Sequence, residues 1–416
     1  MRPAGQGRTI PTSRFTLRLL NTFGMPAKPR VLVTGYNIRY PLGGQVAHNL
    51  NYLVGLQRLG CEVWYLEESG SWPSSCFNTT TREMTSDPSF GIAALKQLLR
   101  RFGIENNWVY VDEKRRYHNL SQPETIALCR SADLLLTVSS VTWLPEFLEC
   151  RRRVYIDTDP GVTQFQMSAE KGPSMSGFAS PHDHQFHYTV GLNIGQPGCP
   201  IPTWGIHWQP WFQPIALELF PYTYAPQAKY FTTVMNWAAR KPMVFDGVEY
   251  GPKSQEFQRF IDLPQRMGPQ FEIAVGGFHA PLDELRSNGW QLRSPLEVTR
   301  DWETYREFIG QSRGEFSAAT NLVVKTRSGW FSDRSAVYLA MGKPVIAQDT
   351  QAKRLLPDGE GFLPFNHADE VAEAIEQVNA DYEHHCRAAR TLAEQFFDAG
   401  KLLRGLFNDV GLHPVA

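Results

Sequence analysis

Two polar clusters in the chain carry residue types and spacings suited to chemistry. The first is Ser332, Asp333, Arg334 and Ser335, preceded by Lys325, Arg327, Ser328 and Gly329. Ser332 is a good helix N-cap, and Asp333 falls in the electropositive first turn. A helix start rich in Gly and Ser aims free backbone N–H groups and the helix dipole at one point, which makes an anion seat. Lys325, Arg327 and Arg334 add positive charge beside it. The second cluster is Asp157 and Asp159, followed by Pro160 and Gly161. Paired carboxylates at the carboxyl end of a strand point into the ligand crevice of an open α/β sheet, where they can take a proton. Asp, Pro and Gly are also turn formers, so an ordinary turn is the alternative. His48 and His184 are the remaining candidates for proton transfer. His184 lies among His182, His187 and His207 without the helical HxxxH or HExxH spacing, so no metal site is expected.

The elements that must position these groups alternate between strand and helix. Residues 30–35 (RVLVTG) read as a buried strand, followed by a loop with Gly43 and Gly44. Residues 45–59 repeat apolar side chains at helical spacing, and residues 61–66 form the next strand, closing a βαβ unit. Helices are expected at 92–102 and 125–130, and strands at 108–111, 133–138 and 153–156. Residues 69–90, with Trp72, read as a long loop. Residues 162–215 are poor in regular signal, yet their aromatics argue against disorder. A second alternating run follows: strands at 229–235, 271–275, 314–318 and 322–325, and helices at 255–263, 301–311, 369–378 and 381–397. Between them, Ala336, Val337, Leu339, Ala340 and Met341 make a buried helix ended by Gly342 and Pro344. Residues 345–347 are a buried strand, with Asp349 and Thr350 at its carboxyl end. Asn236 holds the same position after the strand at 229–235.

At 416 residues the chain is long enough for two or three cores. Its 41 basic and 42 acidic residues give a net charge of −1, which argues against a general nucleic-acid binder. No apolar run reaches the length of a membrane span. The six cysteines are scattered without a C-x-x-C pair, which reads as reduced thiols, no zinc and a cytoplasmic address. Residues 1–28 carry Arg2, Arg8, Arg14, Arg18 and Lys28 and no acid, and read as a flexible extension, with a targeting segment as the alternative.

The run Gly-Lys-Pro-Val-Ile-Ala-Gln-Asp-Thr at residues 342–350 is similar to the G-x-P-V-I-A-x-D run of GT-B glycosyltransferases. The resemblance covers most of residues 30–410 and is specific in this stretch. It implies two Rossmann-like doubly wound domains facing across a cleft. Residues 29–215 would be the acceptor lobe, residues 216–395 the nucleotide-sugar lobe, and residues 396–416 a helix crossing back to the first. It places the diphosphate at Ser328, Gly329, Ser332, Asp333, Arg334 and Ser335 with Lys325 and Arg327. It places the donor sugar at Asp349 and Thr350, with Asn236 nearby, and the glycine-rich first loop at the cleft. Trp290 resembles the Trp that stacks on the nucleobase in plant-type relatives, although core packing is the commoner fate of a Trp. The resemblance implies transfer of a sugar from a nucleoside-diphosphate sugar to an acceptor hydroxyl, with no metal and no cofactor. It breaks at Gly329 and Val337, where retaining relatives carry glutamates. Asp159, Asp157, His48 and His184 are then the candidates for the catalytic base. A sugar-nucleotide epimerase or hydrolase, and a non-catalytic binding protein, are the alternatives on the same fold.

Overall fold

The computed structural model describes residues 28–70, 73–169, 179–277 and 279–413. The N-terminal extension up to residue 27 and Trp72 lie outside the described residues. Among the described residues, one eight-stranded sheet runs in the order Gln209–Pro210, Phe186–Thr189, Arg153–Asp157, Leu134–Val138, Arg30–Thr34, Glu62–Glu68, Trp108–Val111 and Tyr117–His118. Every neighbouring pair is parallel except the last. A six-stranded, wholly parallel sheet follows the order Gln291–Arg293, Phe271–Gly276, Phe231–Asn236, Gly314–Ser317, Val345–Gln348 and Phe362–Phe365. Strands buried on both faces need continuous apolar runs, which Val31, Leu32 and Val33 or Leu134, Leu135 and Leu136 supply. Each sheet reverses its strand order beside its first strand, and in such folds the ligand crevice opens at the carboxyl ends there.

The two lobes share a core. Val46 and Leu50 from helix Gly43–Arg58 pack in one cluster with Trp302, Tyr305, Phe331, Tyr338 and Phe397 of the second half. Gly43 makes this approach possible, because a Cβ there would drive into the Asp301 carbonyl oxygen and the Tyr305 Cβ. Helix Ala399–Asp409 crosses back onto helix Gly43–Arg58, with Gly55 facing Ala399 and Leu403. The two chain crossings bond to each other, Ile215 N–H to the Phe397 carbonyl at 2.7 Å and Ala399 N–H to the Ile215 carbonyl at 3.0 Å.

The structure departs from the sequence reading in four places. Residues 322–325 belong to a short helix, Asn321–Lys325, because Leu322 and Val323 bury against a cluster containing Phe165 and Tyr250 rather than continuing the sheet. The loop expected over 162–215 contains helix Val162–Ala169 and strand Phe186–Thr189, a short FHYT run that turns Phe186 and Tyr188 into the core and pairs with Arg153–Asp157. Hairpins Cys76–Asn78 with Glu83–Thr85 and Met243–Phe245 with Val248–Tyr250 fill two further loops. The second closes through Asp246 and Gly247, both at positive φ, the geometry a two-residue turn needs. The helix expected at 255–263 is broken into Lys253–Phe257, a 3₁₀ turn Gln258–Phe260 and Leu263–Met267.

Gly43→Ala is expected to destabilise the chain by about 1–3 kcal/mol, the usual result of overpacking a close contact. Gly44→Ala, whose added Cβ meets only the Tyr305 ring at an ordinary 3.7 Å, should instead stabilise the helix by about 0.5–1 kcal/mol. Urea unfolding of the two variants checks the opposite signs.

Candidate functional site

The carboxyl ends of the two sheets enclose a cleft of about 390 Å³. The first lobe contributes Tyr36, His48 and Asp159, and the second contributes Asn236, Arg240, Lys241, Lys253, Ser332, Asp333 and Arg334. Helix Asp333–Ala340 starts at this wall. Ser332 caps it, its hydroxyl accepting the Arg334 N–H at 3.2 Å, and Gly342 ends it at φ +70°. Arg334 does not reach freely into the cleft. Its Nε donates to Glu315 at 2.5 Å, its Nη2 to the Ser317 hydroxyl at 2.6 Å and its Nη1 to the Val234 carbonyl at 2.9 Å. Burial disfavours the charged guanidinium, but the Glu315 carboxylate outweighs it and holds Arg334 protonated.

Lys253 stands at the start of helix Lys253–Phe257 and donates to the Ala318 carbonyl at 2.5 Å. Burial first, then the nearby Arg334, push its ammonium down to about 7, against a smaller upward pull from Glu315. Arg240 reaches over the cleft to Asp159 at 3.2 Å. His48 Nδ1 lies 3.5 Å from Asp333, a second contact between the lobes. Burial raises the Asp333 carboxyl, but His48 and Arg334 pull it further down, so it is held below the usual range. His48 Nε2 is buried without a partner among the described residues.

Asp159, His48, Asn236, Ser332, Asp333 and Arg334 therefore meet in one cleft. The other residues singled out in the sequence lie elsewhere. Asp157 is buried below the cleft floor, accepting from Thr163 and Thr189 at 2.7 Å and from Gln164 at 3.0 Å, and burial raises its carboxyl. His184 is locked between Thr137 and the Ser180 carbonyl, each at 2.8 Å, and burial drives it down to about 3, so it stays neutral. Lys325 is exposed and donates to the Glu249 carbonyl, and Arg327 is exposed in a left-handed turn at φ +49°.

The glycine turn expected to seat the phosphate is filled by protein. Gly329 N–H donates to the Thr350 carbonyl, Asn193 from the first lobe donates to the Arg327 and Gln351 carbonyls, and Ser328 accepts from Trp330 N–H. Asp349 accepts from the Gln351 backbone and side chain, and Thr350 donates to the Trp330 carbonyl at 2.6 Å. Ser335 and Thr350 border a void of about 10 Å³. Gly43 serves the lobe contact described above, and Gly44 stands beside it with room for a Cβ. Trp290 is 2% exposed among Phe257, Phe271 and Phe316, with its indole N–H on the Ile261 carbonyl at 2.8 Å. Its fate is core packing.

The sequence reading did not single out Lys253, Arg240 or Lys241. The signal was the carboxyl end of strand Phe231–Asn236, but the inserted Met243–Tyr250 hairpin separates Arg240 and Lys241 from Lys253 and hides their convergence. Among the described residues no cluster of His, Cys, Asp and Glu could hold a metal ion, and no helix is long and apolar enough to cross a membrane.

No protein-family model matches the sequence, and no curated protein sequence matches it. Solved structures do match. Two are of an alpha-glucosyltransferase in complex with UDP and a 13-mer DNA, one DNA containing an HMU base and the other a central A:G mismatch. Their TM-scores are 0.56 and 0.58, at 10% identity, over 92% of this chain and 100% of theirs. A sucrose-phosphate synthase from Thermosynechococcus elongatus matches over the same share of this chain with 14% identity and a TM-score of 0.45. The chain has the GT-B fold of these glycosyltransferases, two Rossmann-like lobes across a cleft.

Trp290→Ala is expected to cost about 3–5 kcal/mol of stability, as for other buried aromatics. Urea denaturation of the variant checks this; a loss under about 1 kcal/mol would contradict the core assignment.

Proposed function

We propose that the cleft binds a nucleoside-diphosphate sugar and that the protein transfers the sugar to an acceptor hydroxyl without a metal. The observation that carries this is the convergence of Lys253, Arg240 and Lys241 with the capped start of helix Asp333–Ala340 between two lobes of GT-B fold. A leaving diphosphate develops charge that must be met by preorganised donors, and each such donor is typically worth about 3–4 kcal/mol of barrier. Lys253 and Arg240 supply cations, and the helix start supplies N–H groups and a dipole. Arg334 holds this wall in place through Glu315. UDP is the first nucleotide to test, because it occupies the alpha-glucosyltransferase structures.

An acceptor hydroxyl must lose its proton on whichever face it attacks. His48 is the base in this reading. Its ring borders the cleft with Nδ1 facing Asp333, and because Nε2 is buried the ring must turn for Nε2 to take the proton. Asp159, bridged to Arg240, serves to hold that cation until the diphosphate arrives. A positioned general base contributes about 10²–10⁴-fold, so His48→Asn should lower turnover by that order with donor affinity kept. Asp159→Asn should leave turnover within a few-fold.

Thermal shift against UDP, GDP, dTDP and UMP tests the reading, since a ligand that binds only the folded chain raises its melting temperature. A diphosphate should stabilise far more than UMP, and the absence of any shift would remove the nucleotide. Sugar release from the bound donor, with saccharide and DNA duplex arms as acceptors, then identifies transfer. Lys253 adds a pH signature. Its cation is the form that attracts phosphate, and it is lost as pH rises through about 7. UDP affinity should therefore fall between about pH 7 and 9 in the wild type. Lys253→Arg, whose charge persists throughout this range, should flatten the profile.

A further inference from the structure

Lys253 stands at the first position of a helix, Lys253–Phe257, that is five residues long and has no side-chain cap. A helix of that length does not hold itself in water. Before it comes the hairpin Met243–Tyr250, whose Val244 is 70% exposed. Neither neighbour accounts for a lysine fixed at the cleft wall with its ammonium on the Ala318 carbonyl at 2.5 Å. Glu256, one helical turn after Lys253, does. It is 4% exposed and lies outside the cleft lining.

The two oxygens of Glu256 gather separate segments. Oε1 accepts from the Asn321 amide at 2.7 Å, and Oε2 accepts from the Gln348 amide and from Arg259, both at 2.6 Å. Each amide turns its own oxygen the other way. Asn321 accepts the Gly251 N–H and Gln348 accepts the Ala319 N–H, both at 3.0 Å. Gly251 lies just before Lys253, and Ala319 follows the carbonyl that receives the ammonium. The carboxylate thus ties both sides of the Lys253 contact to the end of strand Val345–Gln348. Burial raises the Glu256 carboxyl, but Asn321, Gln348 and Arg259 pull it further down, so it stays charged. A carboxylate accepts on both oxygens, whereas an amide here would turn an N–H group toward donors.

We infer that Glu256 is a positioning residue for Lys253, holding it at the cleft wall through Asn321, Gln348 and the backbone those amides fix. The inference rests on the reading of Lys253 as a cation for the diphosphate. Arg334 and Glu315 are the charges that act on the Lys253 ammonium, so Glu256 works by placement and not by its own field. Arg259 is 51% exposed, and a pair in that setting contributes little. The buried amides carry the role. Released from them, the lysine side chain is free to swing toward water, where an ammonium regains its ordinary, higher pKa.

Acylation of Lys253 by an amine-reactive ester, read by mass spectrometry of the full chain across pH, follows its ionisation without any nucleotide. The wild-type midpoint should fall at about 7. Glu256→Gln should move it up to about 9 or above, toward the ordinary lysine range. The same variant should weaken UDP about tenfold below pH 7, the usual effect of displacing one charged donor. Glu256→Gln combined with Asn321→Asp swaps donor and acceptor across their bond at unchanged net charge, keeps an acceptor for the Gly251 N–H, and should restore both readouts. Should Glu256→Gln fail to fold, Asn321→Ser cuts the link to Gly251 alone and carries the same expected rise in midpoint. A merely structural glutamate would lower the urea midpoint and leave the Lys253 profile in place. The inference is overturned if the profile stays in place in the folded variants, if wild-type Lys253 titrates as an ordinary lysine, or if the double change restores nothing. A wild type that fails to bind UDP would remove the nucleotide reading, and the acylation profile would still decide this one.

Discussion

A guanidinium can leave water only if both its charge and its donors are met. Arg334 meets both by spanning two adjacent strands of the second sheet. It grips Glu315 and Ser317 on strand Gly314–Ser317 and the Val234 carbonyl on strand Phe231–Asn236. These are the strands beside which the sheet reverses its order. One turn further along the same helix, the Tyr338 hydroxyl bonds to Thr232 at 2.6 Å, which in turn meets Ser312. The start of helix Asp333–Ala340 is thereby tied to the sheet at two levels. Glu315 is fully buried, so without its partner it would be an uncompensated interior charge. The capped helix start is held in place by this pair, whereas Arg240 and Lys241 stand on the loop that follows strand Phe231–Asn236.

The cleft is balanced against its own acids. Asp159 with Arg240 and Asp333 with His48 both join one lobe to the other. The two contacts differ in consequence. Arg240 and Asp159 are both largely exposed, and Asp159 is 62% so, and a pair in that setting is worth about 0–1 kcal/mol. A diphosphate can displace it at little cost. Asp333 faces a buried imidazole and is held as a carboxylate, so it stays. The lobes themselves share a core through Val46, Leu50, Trp302 and Phe397, and the Ile215 and Phe397 crossings bond to each other. Charge rearrangement inside the cleft can therefore proceed without parting the lobes.

Periodicity carried most of the fold. Continuous apolar runs such as residues 31–33 and 134–136 are strands buried on both faces, although the similar run at 322–324 is helical, and the Ser332 cap and Gly342 stop mark one helix by their backbone chemistry. Strand Phe186–Thr189 was hidden because it is four residues long, with only Phe186 and Tyr188 turned to the core, and its pairing is with Arg153–Asp157, thirty-odd residues earlier. The site was legible in part for a related reason. Ser332, Asp333 and Arg334 sit beside a capped helix that the sequence announces, and Asp159 and Asn236 follow strands that it announces too. Chain proximity misled at Lys325, Arg327 and Asp349, where a turn closes on itself and on Asn193 from the other lobe. Lys253 depends on a contact between distant segments, which local spacing does not encode.

The account turns on a diphosphate lying against Lys253 and the Ser332-capped helix start. A crystal structure of the chain with UDP tests it most directly. The account predicts the diphosphate within hydrogen-bond distance of Lys253 and of the helix N–H groups, with Arg240 turned from Asp159 toward phosphate. UDP bound with its diphosphate away from Lys253, or outside the cleft altogether, would contradict it.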